Sequence, residues 1–174
     1  MLPILLGLGA VGGGLALFVA SRPAKFKIVR ERQIAAKPAA VYAKVADLHA
    51  WADWSPWEKL DPSMKKTFEG EPSGKGAIYA WDGNKKAGAG KMTITSAKED
   101  AELVIRLEFI KPFAATNTTT FTFEPSGEGT RVTWAMEGEN GFAGKAFSLL
   151  MNMDKTVGGD FEKGLAALAD VAKA

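Results

Sequence analysis

The sequence predicts an α+β protein: one antiparallel sheet, a long C-terminal helix and, ahead of both, an N-terminal transmembrane helix. Three observations carry this expectation. Residues 1–21 contain no Asp, Glu, Lys, Arg or His. Between residues 65 and 138, short segments rich in β-branched and aromatic residues are separated by hairpin-type turns. From Phe142 onward, apolar residues recur three or four apart, the period of an amphipathic helix.

The uncharged leader would run about 31 Å as a helix, close to the roughly 30 Å of a bilayer's hydrocarbon core. Arg22, Lys25, Lys27, Arg30 and Arg32 follow it, opposed only by Glu31. The excess of basic residues on that side predicts a single-pass membrane protein with its domain, residues 22–174, on the cytoplasmic side. An alternative is cleavage near Ser21 and export, since Val19-Ala20-Ser21 is a passable cleavage site, although the basic n-region of a signal peptide is missing. Gly7-x-Gly9-x-x-Gly12 formally matches the dinucleotide-binding fingerprint. That match fails on context, because the fingerprint needs a parallel βαβ unit and hairpin-spaced strands follow instead.

Within the domain, Phe26, Ile28, Val29 and Ile34 mark a first strand, and Pro38 suits the first turn of a short helix that carries Val41, Tyr42, Val45 and Leu48. A second short helix takes the chain from His49 to Trp54 and stops at Ser55-Pro56. Six strands are expected at 65–69, 77–82, 88–97, 101–110, 114–124 and 130–138. Alternation puts Met92, Ile94, Leu103, Ile105, Leu107, Phe109, Phe121, Phe123, Val132, Trp134 and Met136 on the buried side. The final third reads as one long helix or two, with a kink expected at Gly158-Gly159.

Composition removes several chemistries. There is no cysteine, so disulfides, thiolate metal sites and cysteine nucleophiles are excluded. One histidine, His49, would have to carry any zinc site or Ser-His-Asp triad alone. Twenty-two Lys+Arg against 20 Asp+Glu leave a net charge of +2, which gives no footprint for nucleic acid. No metal or cofactor is expected.

A strand, two short helices, six antiparallel strands and a long helix is the order of the helix-grip fold. In detail, Trp54-Ser55-Pro56-Trp57-Glu58-Lys59-Leu60-Asp61-Pro62, Tyr79-x-Trp81-x-Gly83-Asn84-Lys85, the Phe121 to Pro125 segment, Thr133-Trp134-x-Met136 and the Met153-Asp154-Lys155 to Leu165 segment resemble the SRPBCC superfamily, which includes START-like and Bet v 1-like proteins. They look most like its branch named for polyketide cyclases and dehydratases, over roughly residues 25–172. The resemblance implies a curved sheet wrapped around the long helix and a deep, mostly apolar cavity between them. Its members bind lipids, sterols, polyketides, quinones and hormones; some are aromatase/cyclases and some act on protein partners.

Candidate ligand-binding residues are those that would wall such a cavity: Trp54, Trp57, Tyr79, Trp81, Phe109, Trp134 and Met136, with Phe147 and Met151 closing it from the last helices and Asp154 able to hydrogen-bond a head group. Aromatic rings offer large apolar area and methionine adapts to irregular shapes. Plain core is the competing explanation for each at these spacings, and for Asp154 a simple ion pair. No catalytic residue is singled out, since an acid–base enzyme needs two groups with separated pKa values in one site and nothing in the spacing of Asp53, Glu58, Tyr79, Asp82, Arg106 or Glu108 marks such a pair. The expectation is therefore a membrane-anchored, non-catalytic binder of a hydrophobic small molecule or lipid. The alternatives are a cyclase or dehydratase acting on a hydrophobic substrate, and a protein-interaction module.

Overall fold

The structure is a computed structural model that describes residues 16–173, except for the side chains of Ala143, Phe147 and Leu150. Strand β1 (Lys25–Ile34) leads into helix α1 (Pro38–Ala46), a 3-10 turn at Leu48–Ala50, the single-turn helix α2 (Trp51–Trp54) and a second 3-10 turn at Pro56–Lys59. Strands β2 (Lys65–Gly70), β3 (Ala77–Asp82), β4 (Ala89–Lys98), β5 (Glu102–Lys111), β6 (Ala115–Ser126) and β7 (Gly129–Glu139) follow, then α3 (Phe142–Leu150) and α4 (Met153–Val171).

Local chemistry accounts for the boundaries. Pro38 occupies the first turn of α1, where its missing N–H costs nothing. The Asp47 carboxylate accepts from the His49 backbone N–H and so starts the next turn. Asn152 caps α4, its side-chain oxygen accepting from the Lys155 N–H at 2.9 Å.

The seven strands form one sheet in the order β1-β7-β6-β5-β4-β3-β2, and every neighbouring pair is antiparallel. Consecutive hairpins build six of the strands, and β1 returns beside β7. Register shifts between Ala89/Gly90 and Ile94/Ser96 interrupt the β4–β5 ladder, where an extra residue bends a strand.

Helix α4 lies against the inner face of this sheet, burying Phe161, Leu165 and Leu168. Contact is close at Gly164, where a Cβ would come within 2.8 Å of the Trp134 ring and 3.2 Å of Pro56. At the β1 edge Arg30 binds Asp154 and Glu162 of α4 at 3.1 and 2.7 Å. This contact also corrects the expected kink: α4 runs unbroken through Gly158-Gly159, with the Arg30 guanidinium over Gly158, and the break between the two C-terminal helices falls at Met151-Asn152.

The transmembrane helix predicted over residues 1–21 is not found, and the single-pass membrane placement with a cytoplasmic domain falls with it. Among the described residues no helix is long and apolar enough to cross a membrane. Of the leader, residues 1–15 lie outside the described residues, and the helix over residues 16–20 ends in a turn where Ser21 bonds back to the Phe18 carbonyl. Val19 is buried, and the Ala20 carbonyl accepts from Lys145 on α3, so the end of this segment is tied to the domain.

Candidate functional site

The registers align inward-facing residues into rows across the sheet. One row runs Phe26, Gly138, Asn117, Leu107, Met92, Tyr79 and Phe68. On one side of it lie Ile28, Met136, Thr119, Ile105 and Ile94, then Arg30, Trp134, Phe121 and Leu103. On the other lie Trp81, Gly90 and Phe109.

The half of the face around Trp134 and Phe121 is sealed by rings from the helices. Trp134 stacks on Phe161 at 4.2 Å with the planes 6° apart, and Phe121 packs against it at 4.6 Å with the planes 32° apart. Trp51 and Trp54 meet both edge-on from α2, and their indole N–H groups donate to the Val45 and Lys44 carbonyls at 3.0 and 3.1 Å. The three-residue spacing of Trp51, Trp54 and Trp57 thus builds a plug. Trp54 and Trp134 are part of it, while Trp57 is half-buried at its border with its ring edge-on to Trp134 and Phe161.

The other half is different. Trp81, Leu107 and Phe109 point inward from β3 and β5, yet each keeps accessible surface. The Trp81 indole is fixed by its N–H to the Ala87 carbonyl at 3.1 Å and meets Phe109 edge-on. Tyr79 and Met92 are buried beside Leu107, and Met136 lies where the two halves meet. Two surface depressions lie elsewhere: one of about 160 Å³ between His49, Phe68 and Glu71, and one of about 350 Å³ against the outward-facing Thr118, Glu137 and Glu139. Neither reaches Trp81, Leu107 or Phe109.

Along the β2–β3 edge three ionisable groups converge. The Tyr79 hydroxyl donates to Glu58 Oε1 at 2.7 Å and Lys66 pairs with the other oxygen of the same carboxylate, whose side chain is 8% exposed. Burial first, and the Glu58 hydrogen bond second, hold the Tyr79 phenol above its ordinary range. Tyr79 is therefore a protonated donor that is already engaged.

The remaining candidates separate from this group. Asp154 is exposed and ion-paired with Arg30, whose hydrogen bond holds its carboxyl below the usual range. Met151 is exposed just beyond α3, and the Phe147 side chain lies outside the described residues. His49 is exposed too, beside Asp47 at 3.1 Å and stacked on Phe68 at 3.9 Å. Among the described residues no cluster of His, Cys, Asp and Glu could hold a metal ion.

Sequence reasoning missed two residues. Asn117 and Thr119 share the inward parity of Phe121 and Phe123 on β6, and both are buried. The signal was present in the Thr-rich stretch 116–122: polar residues at positions that alternation assigns to the core.

An antiparallel sheet closed over a C-terminal helix, with a partly filled apolar inner face, defines the helix-grip class, and the comparisons agree. The model of the family described as Polyketide cyclase / dehydrase and lipid transport matches residues 25–173, and the chain belongs to that family, within the SRPBCC superfamily. No curated protein matches the chain. Among solved structures, the di-domain ARO/CYC StfQ from the steffimycin biosynthetic pathway aligns with TM-score 0.67 at 11% identity, over 86% of this chain and 51% of that one. An uncharacterized protein from Rhizobium leguminosarum gives 0.63 at 14%, over 87% and 97%. Ara h 8.0201 gives 0.59 at 13%, over 86% and 99%. At such identities the likeness speaks for the fold alone.

Proposed function

We propose that the domain binds a hydrophobic small molecule between the open half of the inner sheet face and the C-terminal helices, without catalysing a reaction. One observation carries the reading: Trp81, Leu107 and Phe109 face inward and remain accessible, while the adjoining half of the same face is packed shut. Apolar side chains kept partly in water gain roughly 25 cal/mol per Å² when a ligand covers them. Trp57, Tyr79, Trp81, Phe109 and Met136 are the proposed walls. Trp54 and Trp134 support them from behind.

The test is native mass spectrometry of the purified full chain, followed by titration with the apolar fluorophore N-phenyl-1-naphthylamine. A bound apolar molecule, or saturable fluorophore binding abolished by Leu107→Trp, is the expected result. A chain that carries nothing and binds the fluorophore no better than its Leu107→Trp variant would overturn the reading.

A second reading, an enzyme of the cyclase or dehydratase kind, is favoured by the convergence of Glu58, Tyr79 and Lys66 beside the open half. Lys66 and Glu58 offset each other's charge and the Tyr79 phenol, held protonated, donates to the same carboxylate, an arrangement that favours a structural bridge between the 3-10 turn and the sheet.

A further inference from the structure

The inner face carries polar groups that the fold leaves unused. Thr119 Oγ1 and Trp134 Nε1 are fully buried and have no hydrogen-bond partner among the described residues. Their residues are only 4% and 2% exposed. Asn117, 7% exposed, directs its amide nitrogen at the Met136 sulfur, at 4.0 Å. Buried polar atoms are nearly always paired, so two orphans on adjoining strands ask for a partner. Thr119 pairs with Met136, where the two halves meet, and Trp134 lies one inward step further along β7 at the edge of the plug, so the two groups adjoin the seam between the open and sealed halves. The seam borders the space proposed for the ligand, and a ligand reaches the two buried atoms by parting the side chains that cover them.

From these groups we infer that the seam recognises an uncharged oxygen, a hydroxyl or carbonyl, on an otherwise apolar ligand that enters polar end first. This rests on the binding reading above and names the chemistry of its ligand. An indole N–H only donates, whereas a threonine hydroxyl donates or accepts, and together they fit one oxygen carrying lone pairs. A carboxylate or phosphate does not fit. Arg30, which pairs with Trp134 from β1, spends its donors on Glu162, Asp154 and the Val29 carbonyl. Lys66, at the opposite edge of the sheet, is held by Glu58. An anion at the seam would be a buried charge without a partner. Trp81 and Phe109 would then cover the ligand's apolar body nearer the open end.

The experiment titrates the full chain with three probes of one shape, 2-naphthol, naphthalene and 2-naphthoate, following the indole N–H resonances by NMR with Trp134→Phe assigning that of residue 134. We expect 2-naphthol to bind about tenfold more tightly than naphthalene, the value of one buried hydrogen bond, and 2-naphthoate to bind more weakly than both. The Trp134 indole proton should move downfield with 2-naphthol alone. Thr119→Val should lower 2-naphthol affinity about tenfold and leave naphthalene unchanged, while Thr119→Ser retains the preference. Equal binding of naphthol and naphthalene, or an unmoved Trp134 signal, means the two groups hold a water only; that overturns this inference and leaves the pocket standing. Binding of none of the three removes the pocket and this inference with it. Should Thr119→Val fail to fold, the ratio of the two neutral probes and the Trp134 shift decide the matter in the unmodified chain.

Discussion

The two halves of the inner sheet face begin from the same alternation and end in opposite states. Around Trp134 the apolar side chains are met by rings from α2 and α4 and are buried, while Trp57 at the border stays half-buried. Around Leu107 the same parity on the same sheet leaves Trp81, Leu107 and Phe109 partly in water. A strand pattern therefore says which side chains point inward, and the elements crossing above them decide whether that interior is core or pocket. In this chain the three-residue tryptophan repeat and the Phe161 face of α4 fill one half.

This contrast is best broken by truncation. Phe161→Ala, which removes a ring stacked on Trp134, should cost about 3–5 kcal/mol in urea unfolding. Leu107→Ala should cost about 1 kcal/mol, since its side chain is already partly hydrated. Similar losses at both sites would erase the division.

Enlargement should invert the result. Ile105, which is 0% exposed, has no room for a larger ring, and Ile105→Trp should lose about 1–3 kcal/mol or more through overpacking. Leu107→Trp on the same strand should be near neutral and should displace ligand. Thermal melts with and without N-phenyl-1-naphthylamine separate the two.

Two glycines of α4 sharpen the comparison further. Gly164→Ala sets a methyl against a Trp134 ring already packed against Phe121 and Phe161, so about 1–3 kcal/mol is expected to be lost despite alanine's better helix propensity. Gly159→Ala meets nothing within 4 Å and should gain about 0.5–1 kcal/mol. Denaturant midpoints of the pair test whether the sealed half is as tight as its geometry.

The smallest effect belongs to the rim of the open half. Asp61 accepts from the Ser63 hydroxyl and from the Asn84 backbone N–H in the β3–β4 turn, and these bonds hold its carboxyl below the usual range. A lowered folded-state value means the contribution is complete above the unfolded value near about 3.9 and is lost as pH falls through the folded one. Melting temperatures between pH 6 and pH 2 should fall less steeply for Asp61→Asn than for the unmodified chain, from a lower starting value.

Much of the fold was legible because it is local. The strand segments, the short helices and the break at Ser55-Pro56 follow from alternation, turn residues and proline chemistry, and each lies within a residue or two of its expected place. The proposed site was legible only in part. Trp57, Tyr79, Trp81, Phe109 and Met136 do gather on or beside the open half, but Asp154 pairs outward with Arg30, a contact across 124 positions that no spacing rule anticipates. Asn117 and Thr119 were passed over because a search for apolar walls discards polar residues. The membrane helix was expected from hydropathy alone, a criterion that takes no account of a buried Val19 or a tie between Ala20 and Lys145.

By itself, then, the sequence determined the order of elements, the inward parity of the last four strands and the absence of cysteine chemistry, since each depends on neighbours a few residues apart. Tertiary structure alone decided which tryptophans became core, where the C-terminal helices part and why α4 tolerates its glycines. It also left Thr119 and Trp134 with buried polar atoms that have no partner among the described residues. These outcomes depend on which surfaces meet at long range, and the energy of a side chain is set by what finally lies against it.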